Sequence, residues 1–116
     1  MRLYRRIKAV NQIYNEGSVV TIGVFDGLHL GHQVLINRAI EKASELSLPS
    51  VVFSFEPTPN DYFAKNEKQL RLNSFRQKYN LIKAMGVNSF YVPPFDSKME
   101  ELDVNEFIDL HLLKNL

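Results

Sequence analysis

Thr21-Ile22-Gly23-Val24-Phe25-Asp26-Gly27-Leu28-His29-Leu30-Gly31-His32 is the stretch on which the fold of this 116-residue chain turns. It is entered through Ser18-Val19-Val20-Thr21-Ile22, a β-branched run that follows the turn residues Asn15-Glu16-Gly17, as expected of a buried strand. Gly23, Gly27 and Gly31 then recur every four residues, a pattern that suits neither a regular strand nor a helix and predicts a shaped loop. After Gly31 the residues Leu35, Ile36, Ala39, Ile40, Ala43 and Leu46 return at three- and four-residue spacing. That period predicts an amphipathic helix ending near Leu48-Pro49.

Working outward, Ser50-Val51-Val52-Phe53-Ser54-Phe55 predicts a second buried strand, closed by Pro57 and Pro59. From Asn60 to Leu72 there is no clear period, so loop with at most one helical turn is expected. Ser74 is placed to cap a helix whose apolar face carries Phe75, Tyr79, Ile82 and Met85, with Gly86 where a left-handed terminator belongs. A third strand, Ser89 to Val92, stops at Pro93-Pro94, and Asp103 with Glu106 predicts a capping box opening a last helix through about Lys114. Strands alternating with helices imply a parallel sheet in a three-layer, Rossmann-like α/β fold, one domain over residues 1–116. Sheets of this kind carry about five strands against the three read here, so the sheet is expected to be incomplete. A second copy of the chain or a missing carboxy-terminal partner would then cover its edge.

Composition narrows the function classes. With 45% hydrophobic and 23% charged residues, the chain has the profile of a globular domain, and its formal net charge of +1 offers no general field for nucleic acid. The one basic cluster, Arg2, Arg5, Arg6 and Lys8, lacks interleaved aromatics and reads as a solvated face. Cysteine is absent, which excludes disulfides and thiol chemistry. No apolar run approaches the roughly 20 residues that span a bilayer, and no secretory leader is evident, so a cytoplasmic protein without membrane contact is expected.

The glycine loop carries the chemistry. At a strand-to-helix junction the first helical N–H groups and the macrodipole favour an anion such as a phosphate. His29 and His32 add donors at the same place, and Gly27 and Gly31 allow a ligand close to the backbone. A P-loop is excluded because there is no Gly-Lys-Ser/Thr, and the glycine spacing fails the dinucleotide fingerprint. Zinc bound by protein ligands alone is disfavoured, since His111 is the sole further histidine and its helical stripe with Val104, Phe107, Ile108 and Leu112 suits packing. Asp26 is open to two roles, a water-mediated Mg²⁺ contact or a bond to its own loop backbone. Phe53 and Phe55, on alternate positions of a strand, suit the core better than a ligand stack.

Gly27-x-His29-x-Gly31-His32 matches the HxGH signature of the nucleotidyltransferase superfamily, and the longer string from Thr21 to His32 resembles that of bacterial FAD synthetases. Phe55-Glu56-Pro57, Arg71-Leu72, Arg76-Gln77-Lys78, Gly86-Val87 and Pro94-Phe95-Asp96 follow in the order seen in that family's amino-terminal adenylyltransferase module, so the resemblance runs from about Val19 to Leu116. It implies transfer of AMP from ATP to FMN, giving FAD and pyrophosphate, with Mg²⁺. It also implies that His29 and His32 hold the ATP phosphates and that Gly23, Val24, Phe25, Asp26, Gly27 and Gly31 line the nucleotide site. Ser54, Phe55, Pro57 and Thr58 would lie on the flavin side. FMN enters already anionic, so positioning and charge stabilisation would dominate over base catalysis.

Two positions depart from the family pattern, which usually has Asn at Val24 and His at Thr58. Neither replacement supplies the hydrogen bonds or charge of the usual residue, so weaker binding or slower turnover is expected. The family's later Gly-x-Asp-Phe-x-Phe-Gly and Ser-Ser-x-x-Ile-Arg segments have no counterpart before Leu116, and no riboflavin kinase domain is read. The alternatives are therefore a truncated or degenerate relative that binds nucleotide or flavin without turnover, and an HxGH transferase with another acceptor.

Overall fold

A computed structural model of the chain describes residues 1–5, 17–25, 30–59, 63 and 75–108. Four strands, β1 (Arg2–Tyr4), β2 (Val19–Ile22), β3 (Ser50–Phe53) and β4 (Ser89–Tyr91), form one sheet in the order β1-β4-β3-β2. All three pairings are parallel, with Val19 opposite Ser50, Val51 opposite Ser89 and Arg2 opposite Ser89 where each ladder begins. The predicted parallel α/β architecture is thus what the chain adopts.

The strand β1 lies within the basic cluster and corrects the expected count of three strands, while Arg2 and Arg5 stay exposed as a solvated face requires. Arg2 and Leu3 are exposed, but their backbone pairs alongside β4 at the sheet edge, and Arg2 N–H donates to the Asn88 carbonyl at 3.0 Å. Three residues that begin on one arginine and stop before the next carry too little pattern to announce a strand; the partner that pairs them is near the other end of the chain. The second strand ends at Phe53 rather than Phe55, although Ser54 and Glu56 N–H still bond the Tyr91 and Pro93 carbonyls at 2.9 and 3.1 Å. The third likewise ends one residue early, at Tyr91.

Alternation along the central strands separates two apolar layers. On one face Val52 and Phe90 meet Phe25, Ile36, Ile82, Val87 and Val92. This layer is covered by α1 (Leu30–Leu46) and α2 (Phe75–Ala84). On the other face Val51, Phe53 and Tyr91 are packed by Tyr4, Val20, Phe55 and Phe107, the last from α4 (Val104–Phe107). Helices on both faces give the expected three layers.

Helix α1 buries Ile36, Ala39 and Ala43 and packs Ile40 against the core, but Leu35 and Leu46 are exposed, so the predicted stripe is wider than the buried one. Gly31 is the second residue of α1 rather than part of a loop, a correction to the glycine pattern. The helix stops with Ser47 at φ 55°, while the Leu48 and Ser47 N–H groups return to the Ala43 and Ser44 carbonyls at 2.9 and 3.2 Å. This is a Schellman ending with serine in the place glycine usually takes.

Helix α2 buries Ile82, packs Phe75, Tyr79 and Met85 against the core, and ends at Gly86 with φ 91°, as the spacing predicts. The Asp103–Glu106 capping box is present at the start of α4. A further short helix, α3 (Ser97–Glu100), is capped by Asp96 and was not read from sequence. Ser74, most of the stretch from Asn60 to Leu72, and the last helix beyond Ile108 lie outside the described residues.

Candidate functional site

The strand β2 delivers the chain at Ile22 to the carboxyl end of the parallel sheet, where Gly23 N–H bonds the Phe53 carbonyl at 3.0 Å. Seven residues later in chain order α1 begins at Leu30, so the glycine-histidine stretch occupies the strand-to-helix junction anticipated for an anion site. Asp26, Gly27 and His29 lie outside the described residues; Gly23, Val24, Phe25, Gly31 and His32 lie within them.

Gly23, Phe25 and His32 form one packed sequence of contacts. A Cβ added at Gly23 would lie 2.8 Å from Cζ of Phe25, so glycine is needed there to let that ring pass. Phe25 takes φ 57°, a left-handed conformation unusual for a bulky residue, and its ring is buried in the α1–α2 layer. The half-buried His32, in the first turn of α1, meets it edge-on with ring centroids 5.4 Å apart and planes at 81°. The buried Phe25 ring is thereby one of the contacts of the imidazole. Phe25, expected to line the nucleotide site, is turned into the core, which leaves only its backbone for a ligand. Gly31 is exposed, and a Cβ there would meet nothing within 4 Å, so the fold itself does not require glycine at that position.

Behind this loop lies a polar group that the sequence reading missed. Lys78 on α2 is fully buried, and its Nζ donates to the Val24 carbonyl at 2.7 Å. The buried Ser54 hydroxyl donates to the same oxygen at 3.1 Å. A signal was available: Lys78 falls three residues after Phe75 and four before Ile82, a cation on an apolar helical stripe. Among the described residues no group of three or more His, Cys, Asp or Glu side chains is placed to hold a metal ion.

The residues expected on the flavin side divide. Ser54 and Thr58 are buried, Phe55 is half-buried and Pro57 is exposed. Phe53 belongs to the core, packed against Tyr91 and Phe107 with centroids at 4.8 and 5.6 Å. Phe55 meets Phe95 edge-on at 5.6 Å, and Phe95 in turn meets Phe63 at 5.7 Å. Phe55 and Phe95 help line a mostly apolar cavity of about 230 Å³ with Met99, Leu102, Asp103, Val104 and Phe107. Arg5 ties the end of β1 to this region, donating to the Glu56 carbonyl at 2.7 Å with its guanidinium 5.2 Å from the Phe75 ring centre.

A family model described as FAD synthetase matches residues 11–116. The chain belongs to the FAD synthetase family. Among relatives, the bifunctional riboflavin kinase/FMN adenylyltransferase of Escherichia coli (strain K12) is 36% identical over 116 residues, covering 100% of this chain and 37% of that protein. Its namesake in Buchnera aphidicola subsp. Acyrthosiphon pisum (strain APS) is 34% identical with the same coverage. The chain therefore spans little more than a third of the length of these FAD synthetase relatives. The crystal structure of a macrolide-efflux protein from Streptococcus pneumoniae superposes with a TM-score of 0.72 at 29% identity, over 96% of this chain and 44% of that one. That likeness extends to the fold; among the described residues no helix is long and apolar enough to cross a membrane.

Proposed function

We propose that the chain forms the nucleotide-binding part of an FMN adenylyltransferase module, in which AMP passes from ATP to FMN with release of pyrophosphate. The observation that carries this reading is the placement of the HxGH stretch, with β2 ending at Ile22 and His32 in the first turn of α1. In that role the FMN phosphate oxygen attacks the α-phosphorus of ATP, a new phosphoanhydride bond forms, and the bond to pyrophosphate breaks. The first amides of α1 with His29 and His32 would stabilise the charge that builds on the phosphates. Mg²⁺ enters as the counter-ion of ATP. FMN would approach from the segment that follows β3, where half-buried Phe55 and exposed Pro57 are available.

Titration with ATP·Mg²⁺ and with FMN, alongside an assay for FAD, tests the proposal. Wild-type binding of both ligands with FAD formation is expected, and His29→Ala together with His32→Ala should lower ATP affinity at least about tenfold, the scale of a lost charge-assisted hydrogen bond. Binding of neither ligand would sink the reading for this chain. The substitutions Val24 and Thr58 favour one second reading, a relative that binds nucleotide without turnover. Histidine-dependent ATP binding with no FAD formed would select it.

A further inference from the structure

We propose that Lys78 is a positioning residue for the phosphate loop: with the Ser54 hydroxyl it holds the Val24 carbonyl and so sets the direction in which the chain enters residues 25–32. The consequence for ATP rests on the reading above; the pinning of the loop does not.

Lysine is among the residues least often fully buried, because its amino group loses water that only well-placed polar partners replace. Lys78 is nevertheless fully buried, on the helix face that packs the core, and one partner of its Nζ is the main chain of a loop 54 residues away in sequence, at 2.7 Å. A carbonyl oxygen has two lone pairs, so the Ser54 hydroxyl at 3.1 Å can bond it at the same time. Two donors on one carbonyl fix the plane of the peptide joining Val24 to Phe25. In a trans peptide the N–H points opposite to the C=O, so this plane also fixes the Phe25 N–H away from Lys78.

The next residue supplies the second, independent observation. Phe25 holds φ 57°, a conformation that a non-glycine residue keeps only where its surroundings over-determine it. The fixed carbonyl on one side and the buried Phe25 ring on the other do this. His32 rests edge-on against that same ring. Lys78 thus acts on the histidine through Val24 and Phe25, without touching a ligand. The contact uses backbone, so valine at position 24, where the family pattern has Asn, leaves it intact.

The test compares the whole chain with Lys78→Met and Ser54→Ala. Methionine keeps an unbranched side chain of similar length and removes the donor. Without ligand, Lys78→Met should speed amide exchange at Gly23, whose N–H bonds Phe53, at least about tenfold, while Val51 to Phe53 stay protected. Ser54→Ala should act in the same direction but less. With ligand, Lys78→Met should weaken ATP·Mg²⁺ about tenfold and adenosine, which has no phosphates, by less than about threefold.

Unchanged exchange at Gly23 in Lys78→Met overturns the pinning. Equal losses for ATP and adenosine overturn the positioning role and leave Lys78 a purely structural residue. Should Lys78→Met fail to fold, Ser54→Ala decides, since unchanged exchange there removes the shared carbonyl as a control point. Should the wild type bind no ATP, the nucleotide reading falls and the exchange result alone settles the pinning.

Discussion

At the entry end of β3 and β4 the sheet is fastened by Ser50 and Asn88; at the exit end it is fastened by Lys78, Ser54 and the Val24 carbonyl. In the first cluster Asn88 Oδ1 accepts from Ser50 N–H at 2.8 Å and from its hydroxyl at 3.1 Å, and Asn88 N–H donates back to the Ser50 hydroxyl oxygen at 3.1 Å. The groups are neutral, join adjacent strands, and Asn88 itself is exposed. In the second cluster a fully buried lysine reaches across layers to a loop that leads toward the histidines. Both satisfy polar groups at a sheet end. Only the second places a buried lysine donor on a segment outside the sheet, the one that leads into the proposed nucleotide loop.

The comparison can be broken by substitution. The largest effect is expected for Lys78→Ala, which empties a filled site in the α1–α2 layer and removes a donor from Val24. A stability loss of about 2–5 kcal/mol by chemical denaturation is anticipated, in the range of other long side chains truncated in a core. A loss near zero would mean that the exit cluster is no more than a surface fastening.

Gly23→Ala should cost about 1–3 kcal/mol, because its new Cβ meets the Phe25 ring and that ring is packed in the core. It should also weaken ATP binding through the displaced Phe25. Retained stability with retained ATP affinity would show that the loop is not built around that ring.

Asn88→Ala should cost only about 1 kcal/mol, since water can reach the exposed position and replace part of what is lost. ATP affinity should not change, and a parallel loss of affinity would erase the functional distinction between the two ends. The smallest effect is at Gly31, where alanine in the first turn of α1 should stabilise by roughly 0.5–1 kcal/mol or less. Weaker ATP binding in this more stable variant would assign the glycine to the ligand, whereas unchanged binding would remove it from the site.

The fold was legible wherever local pattern sufficed. Gly86 ends α2 in the left-handed conformation its spacing predicts, and Asp103 and Glu106 form their box, because each depends on neighbours within a few residues. The stripe of α1 was over-read at Leu35 and Leu46, since periodicity shows an apolar face but not how much of it finds a partner. At the site, β2 and α1 fell in the order read, and His32 lies in the first helical turn. The inward turn of Phe25 was not legible: a phenylalanine in a glycine loop suits a ligand wall and a core anchor equally until φ is known.

From sequence alone came the alternation of strands and helices, the junction that carries the glycines and histidines, and the caps, all set by spacing and by backbone preferences of single residues. The pairing of Arg2–Tyr4 with Ser89–Tyr91, the exposure of Leu35 and the bond from Lys78 to Val24 were decided by tertiary structure. Each depends on which distant segment arrives alongside. A lysine on an apolar stripe becomes a fastening only once packing brings a carbonyl within reach of its amino group and removes the water that would otherwise serve it.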